Sequence, residues 1–279
     1  AHRFAGQLFA CGRDGRLAMD RLPVVGTMST LSADPTSFVT DSAAAATALA
    51  TGVKTANGAV AVDLDGRPLT TILELAKRKG KATGLISTCQ ITDATPAAFA
   101  AHVIHRSDQS EVARQFLHGG NVDLLLGGGA AYWFPNGEQT PLPGDPADPR
   151  DRALGTAGDL TVEAMGMGFR VVTGASGLRA VVARSGAAPR LLGLFANQEL
   201  FRQSAEGEGD GYDPAVTLDE MTEAAIDLLS RNPAGFFLVV EESAIDRMAH
   251  RNNGRLTLKG VLELDLAVQV ALDFAARDP

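Results

Sequence analysis

Cysteine is scarce in this 279-residue chain, which has only Cys11 and Cys89. Two are too few for a disulfide scaffold, and they lack the paired spacing of a zinc-bound module. Positive charge is also in deficit, with 25 Lys and Arg against 33 Asp and Glu and a net charge of -8. Phosphate backbones and anionic membranes select basic surfaces, so this balance argues against general binding to either, and any bound anion must find local positive charge. No apolar run approaches the roughly 18 residues of a membrane span. The opening AHRFAGQLFA does not read as a secretory signal. Internal repeats are absent, as is a G-x-S-x-G nucleophile elbow.

What is present is enough apolar residue, 45%, to bury a large core. The length suits one α/β domain over residues 1–279 better than two small ones. Five β-rich or apolar runs, TGLIST (83–88), VDLLLGGG (122–129), FRVVTG (169–174), LLGLFA (191–196) and GFFLVV (235–240), alternate with helical patterns. That rhythm predicts a mainly parallel central sheet flanked by helices on both faces. LTTILELAKRKG (69–80) predicts a crossover helix closed by Gly80, and TLDE (217–220) is a capping box opening the helix MTEAAIDLLSRN. Two stretches rich in Gly, Pro and acidic residues, 131–159 and 203–214, read as surface excursions. The second alternates carboxylates with glycine; a solvated loop is preferred there over a calcium site.

Three segments carry the chemistry. In FVTDSAAAATALATGVKT (38–55), Thr40 or Asp41 caps a helix stopped by Gly52. Ser42 then lies in the first turn, where unpaired N–H groups and the positive dipole end favour an anion. Taken alone, Asp and Ser at a helix start are ordinary caps, and a serine hydroxyl needs activation by a base or a metal. In FFLVVEESAIDRMAH, a strand ends at Glu241, and Asp246 and His250 follow four residues apart on one helical face. A carboxylate and an imidazole suit zinc, though such a pair is also an ordinary surface charge pair. In QITDATPAAFAAHVIHR, Thr95 and Pro96 read as an N-cap and first helical residue, with Asp93 just outside and Arg106 at the far end of the same helix. Thr95, Asp93 and Glu241 offer hard oxygens suited to magnesium, and the Arg106 fork suits a phosphate.

Together these pieces resemble the alkaline phosphatase family over almost the whole chain. VTDSAAAATALATGVKTANGAV resembles the family's nucleophile segment, DATPAAFAAHVIHR its magnesium and phosphate-arginine segment, and FFLVVEESAIDRMAH its strand-to-helix metal segment. The resemblance implies an α/β fold of that type and hydrolysis of phosphate monoesters through a phosphoserine at a site of two zinc ions and one magnesium ion. It implies Ser42 as nucleophile and a ligand of one zinc, Asp41 orienting Arg106, and Arg106 holding two phosphate oxygens. Asp246 and His250 would ligate the other zinc, Thr95 and Glu241 the magnesium, and Asp93 would act on magnesium through water. Arg247 stands where many bacterial members carry Lys and others His; a cation there would touch phosphate through water, so substrate affinity would differ. Small phosphate monoesters as partners, a homodimer and a periplasmic or secreted location are implied in the same way.

The family pattern also includes an Asp-Gly-Met-Gly-like turn before these segments and a Thr-Ala-Asp-His strand and a further histidine after them. Neither is in this sequence, so the expectation is the middle of a longer enzyme, with a fold incomplete at both ends. On its own it is expected to bind zinc weakly and to show no appreciable turnover. The alternatives are a non-catalytic phosphate- or metal-binding module on this fold, or a related phosphodiesterase or sulfatase. The latter commonly use Thr or a modified Cys as nucleophile, and Ser42 with Arg106 disfavours them.

Overall fold

The computed structural model describes residues 2–12, 14–144, 148–184, 186, 190–208 and 212–277. Its elements are α1 (His2–Cys11), α2 (Ser42–Thr51), α3 (Ile72–Arg78), β1 (Ala82–Gln90), α4 (Ala94–Ala100) and α5 (Gln109–His118). They continue as β2 (Leu124–Gly128), α6 (Leu160–Gly166), β3 (Phe169–Val172), α7 (Ala175–Val182), β4 (Arg190–Leu194), α8 (Leu218–Leu229), β5 (Phe236–Glu241), α9 (Ala244–His250) and α10 (Gly254–Arg277). Each of the five apolar runs forms a strand.

The strands form one sheet in the order β3-β4-β2-β1-β5, and every pairing is parallel. Because side chains alternate along a strand, neighbours feed opposite faces. Leu85, Leu125 and Leu192 join a core with Ala46 of α2, Ala97 of α4, Val112 of α5 and Leu160 of α6. Ile86, Leu124, Leu126 and Leu191 join a second core with Leu178 of α7, Leu228 of α8 and Ala267 of α10. Helices therefore cover both faces, and each fully buried Leu stabilises the stack by about 1.5–3 kcal/mol.

Connections run from β1 to β2 on one side and reach β5 on the other, so the strand order reverses beside β1. In open parallel sheets the crevice beyond the carboxyl ends at such a reversal is where ligands bind. At the sheet's outer edge β5 pairs with β1 alone among the described strands, and all six of its residues are half-buried.

Local signals place the helices. Thr71 and Thr217 each accept from the N–H three residues on while Glu74 and Glu220 reach back, closing two capping boxes. Gly52 ends α2 with φ of 76°, a conformation costly for any residue with a Cβ. One expectation is corrected: residues 131–159, of which 145–147 lie outside the described residues, are not merely a surface excursion. Trp133 is buried in the core with Leu142 and Ala157 packed against it, and Leu154 N–H donates to Ala131 O at 2.7 Å within the stretch. In the second excursion, residues 209–211 lie outside the described residues, and Tyr212 is buried against Phe201. No helix among the described residues is long and apolar enough to cross a membrane.

Candidate active site

Three chain segments converge at the carboxyl end of the sheet. Asp41 is the N-cap of α2: its Oδ1 accepts from Ala44 N–H at 2.9 Å and its Oδ2 from Gly58 N–H at 3.1 Å. Asn57 fastens the turn from outside, accepting from Asp41 N–H at 3.0 Å and donating to Val39 O at 2.8 Å. Ser42 is thereby the first residue of a ten-residue helix, exposed at its positive end.

The β1–α4 turn supplies Asp93 and Thr95. Two residues here sit differently from what their sequence predicts. The N-cap of α4 is Asp93, not Thr95, and its side chain makes no capping bond because two arginines occupy it. Arg106 is not on α4 at all. That helix ends at Ala100, Ala101 is extended, and Val103 pairs antiparallel with Val60, which carries Arg106 back toward α2 on a loop.

Arg106 is fixed at two points: Nη2 donates to Asp93 Oδ1 at 2.9 Å and Nη1 to Asp41 Oδ2 at 3.3 Å. Arg247, from α9, donates through Nη2 to Asp93 Oδ2 at 2.8 Å and to Cys89 Sγ at 3.5 Å. Burial alone would raise Asp93, but the two guanidinium groups outweigh it and hold its carboxyl below the usual carboxylate range. Asp93 is thus an ionised bridge between two cations.

Glu241, at the end of β5, has the opposite balance. It accepts from Ser87 Oγ at 2.7 Å and from the Thr95 hydroxyl, yet burial pushes its carboxyl up. This carboxylate is short of positive charge. Asp246 and His250 lie on α9 with Oδ1 and Nε2 3.6 Å apart, their side chains 63% and 75% exposed.

Ser42, Asp93, Thr95, Arg106, Glu241, Asp246, Arg247 and His250 line one cavity of ≈ 600 Å³, with Asp41 behind Arg106. All nine residues singled out in the sequence are therefore brought together. Two participants were missed. Cys89 supports Arg247, and nothing in the sequence marks a lone buried cysteine as the neighbour of an arginine 158 residues away. Glu242 accepts from Thr88 Oγ1 and Tyr212 Oη and ties the β5–α9 turn to the body; its only sequence signal is its place beside Glu241.

The donor set can be tested against the cations that the resemblance implies. Thr95 and Glu241 present hard oxygens, and the deficit of positive charge at Glu241 is what a divalent cation would fill. Asp93 is already engaged by Arg106 and Arg247, which leaves it an outer role. Asp246 and His250 fit zinc but offer two ligands. Among the described residues no group of three or more His, Cys, Asp or Glu side chains is placed to hold a metal. Further ligands there would come from substrate, from water or from chain beyond the described residues.

The family model for alkaline phosphatase matches residues 4–279. Alkaline phosphatase 4 of Bacillus subtilis is 36% identical over 260 residues, covering 91% of this chain and 50% of that protein. The cold-active alkaline phosphatase of a psychrophilic Shewanella superposes with a TM-score of 0.81 at 34% identity, covering 100% of this chain and 62% of that one. A variant of the alkaline phosphatase of the Antarctic bacterium TAB5, with Mg bound in its M3 site, gives a TM-score of 0.78 at 26% identity over 99% of this chain and 70% of its own. The chain thus spans about half the length of the Bacillus protein. A match over nearly all of its residues, joined to a parallel sheet of the same fold, makes this chain a member of the alkaline phosphatase family.

Proposed function

We propose that the full-length protein hydrolyses phosphate monoesters, with Ser42 as the nucleophile. The observation that carries this reading is the meeting of the α2 amino end, the doubly fixed Arg106 and the α9 ligand pair in one cavity. Ser42 Oγ would form a bond to phosphorus as the bond to the leaving oxygen breaks, its proton passing to solvent or to the departing alkoxide. Water would then displace Ser42 from the phosphoserine and release inorganic phosphate. Arg106 and the α2 N–H groups offer fixed positive charge to the non-bridging oxygens in both steps. Asp41 and Asp93 act as positioning residues, holding the Arg106 fork so that little reorganisation is needed.

Thr95 and Glu241 would hold magnesium, with Asp93 reaching it through water. Asp246 and His250 would hold one zinc, and Ser42 would meet a second. Bound divalent ions supply charge that lowers the pKa of hydroxyl and water and offsets charge on the leaving oxygen. Arg247, held to Asp93 through Nη2, would contact phosphate through its remaining N–H groups or through water. The same proposal covers a single catalytic domain, a homodimer and a location outside the cytoplasm, which fractionation and size measurement would test.

A second reading, a phosphate- or metal-binding module without turnover, is favoured by the two-ligand set at Asp246 and His250. A phosphomonoester assay with zinc and magnesium separates them. Turnover of the full-length protein that disappears with chelator and in Ser42→Ala supports the esterase; tight phosphate binding with no turnover supports the module. The isolated 279 residues are expected to bind zinc weakly and to turn over at background.

A further inference from the structure

A second cavity, of ≈ 360 Å³, opens at the opposite end of the sheet. Ala82, Leu124 and Arg190 in its wall are the first residues of β1, β2 and β4, which sets it against the amino ends of the strands. Lys77, Lys81, Arg190 and Arg231 also line it, opposed by one carboxylate, Asp123. This is a concentration of positive charge in a chain whose net charge is -8.

Two of the four cations are already satisfied. Lys77 Nζ meets both Asp123 oxygens at 2.6 and 2.7 Å. Arg231 donates to Asp227 Oδ2 at 3.1 Å and to the carbonyls of Val182 and Arg184 at 2.8 and 2.7 Å. Among the described residues the other two are not. There Lys81 Nζ donates to Ala234 O alone, at 3.0 Å. Arg190 lies over the Phe169 ring at 3.9 Å and, among the described residues, reaches the Met167 and Val122 carbonyls, each at 3.4 Å. Among the described residues neither forms an ion pair, and both are half-buried. Burial pushes the Arg190 guanidinium down, with only Asp123 opposing it, as expected of a partly desolvated cation lacking a counter-charge.

A guanidinium fork over an aromatic ring and an ammonium with donors to spare, lining one cavity, are suited to a compact oxyanion. The cavity has room for phosphate with a small substituent, and Leu228 and Leu229 give it an apolar wall for that substituent. We propose that Lys81 and Arg190 form a second, non-catalytic site for a small phosphate-bearing anion, either free phosphate or the phosphate end of a small molecule. It stands apart from the reading of Ser42 and does not depend on it.

Isothermal titration of the full-length metal-loaded protein with inorganic phosphate, and separately with glycerol 3-phosphate in a Ser42→Ala background, tests this and tells the two sources apart. The expected isotherm has two classes of site. Lys81→Gln and Arg190→Gln should each weaken one class about tenfold or more, the equivalent of one charge-assisted hydrogen bond, and leave phosphomonoester turnover unchanged. Arg106→Ala should weaken the other class. Lys81→Gln keeps the test decisive if loss of the Phe169 stack unsettles Arg190→Gln. Isotherms for both anions that Lys81→Gln leaves unaltered would overturn the proposal, whatever Arg106→Ala does.

Discussion

Replacing Glu242 by Gln perturbs a carboxyl group sealed beneath the β5–α9 turn. Its oxygens accept from Tyr212 Oη at 2.7 Å, Thr88 Oγ1 at 2.8 Å and Ala244 N–H at 2.8 Å. Burial outweighs these bonds and pushes the group from 4.5 up to about 7. The native state therefore holds this proton more tightly than the unfolded chain does. The resulting stability is fully present below 4.5 and is lost as pH rises through about 7. Each pH unit in that window is worth about 1.4 kcal/mol, so the whole is roughly 3 kcal/mol, with about 2.5 kcal/mol lost between about pH 5 and about pH 8. Gln fills the same space, stays neutral, and can accept from Thr88 and Ala244 while its amide donates to the Tyr212 oxygen. Other carboxylates, Asp93 among them, respond to acid in the opposite sense, so the informative quantity is the difference between the two proteins. Urea unfolding in chelator should show Glu242→Gln gaining about 2 kcal/mol or more on the wild type from about pH 5 to about pH 8. A difference that stays constant across that range would refute the reasoning.

Three further outcomes are expected. Gly128→Ala would drive a methyl group into the Gln198 carbonyl oxygen, which accepts from Gly129 N–H, and should cost about 3 kcal/mol in urea unfolding. Asp41→Ala removes the α2 cap and one of the two supports of Arg106, so stability should fall by about 1–2 kcal/mol. Steady-state kinetics of that variant should show a higher KM and weaker inhibition by phosphate. Asp123→Asn removes the one carboxylate lining the amino-end cavity while keeping an acceptor for Thr83 N–H, and phosphate should bind there about threefold more tightly or better in calorimetry.

Much of this architecture was legible in the sequence because it rests on local physics. A strand buried on both faces is largely apolar, as β2 and most of β4 are, and apolar runs marked all five strands. The Asp41 cap and Gly52 stop announced α2, and four-residue spacing put Asp246 and His250 on one face of α9. The order of strands in the sheet was not legible, since it depends on which face each crossover covers. Arg106 was misplaced because its segment is apolar enough to read as a continued helix, while an antiparallel pairing of Val103 with Val60, distant in sequence, ends it. Asp93 was read as lying outside the cap for a related reason. Its carboxylate is claimed by arginines 13 and 154 residues away, and no local pattern encodes such partners.

The bond from Ser42 to phosphorus is the step on which the proposed hydrolysis depends. The direct measurement is to mix full-length protein with a ³²P-labelled phosphomonoester, quench in acid during turnover and map the labelled peptides. Label is expected on the peptide spanning Ser42 and none in Ser42→Ala. Full turnover with no label on that peptide, or with label on another residue, would contradict it.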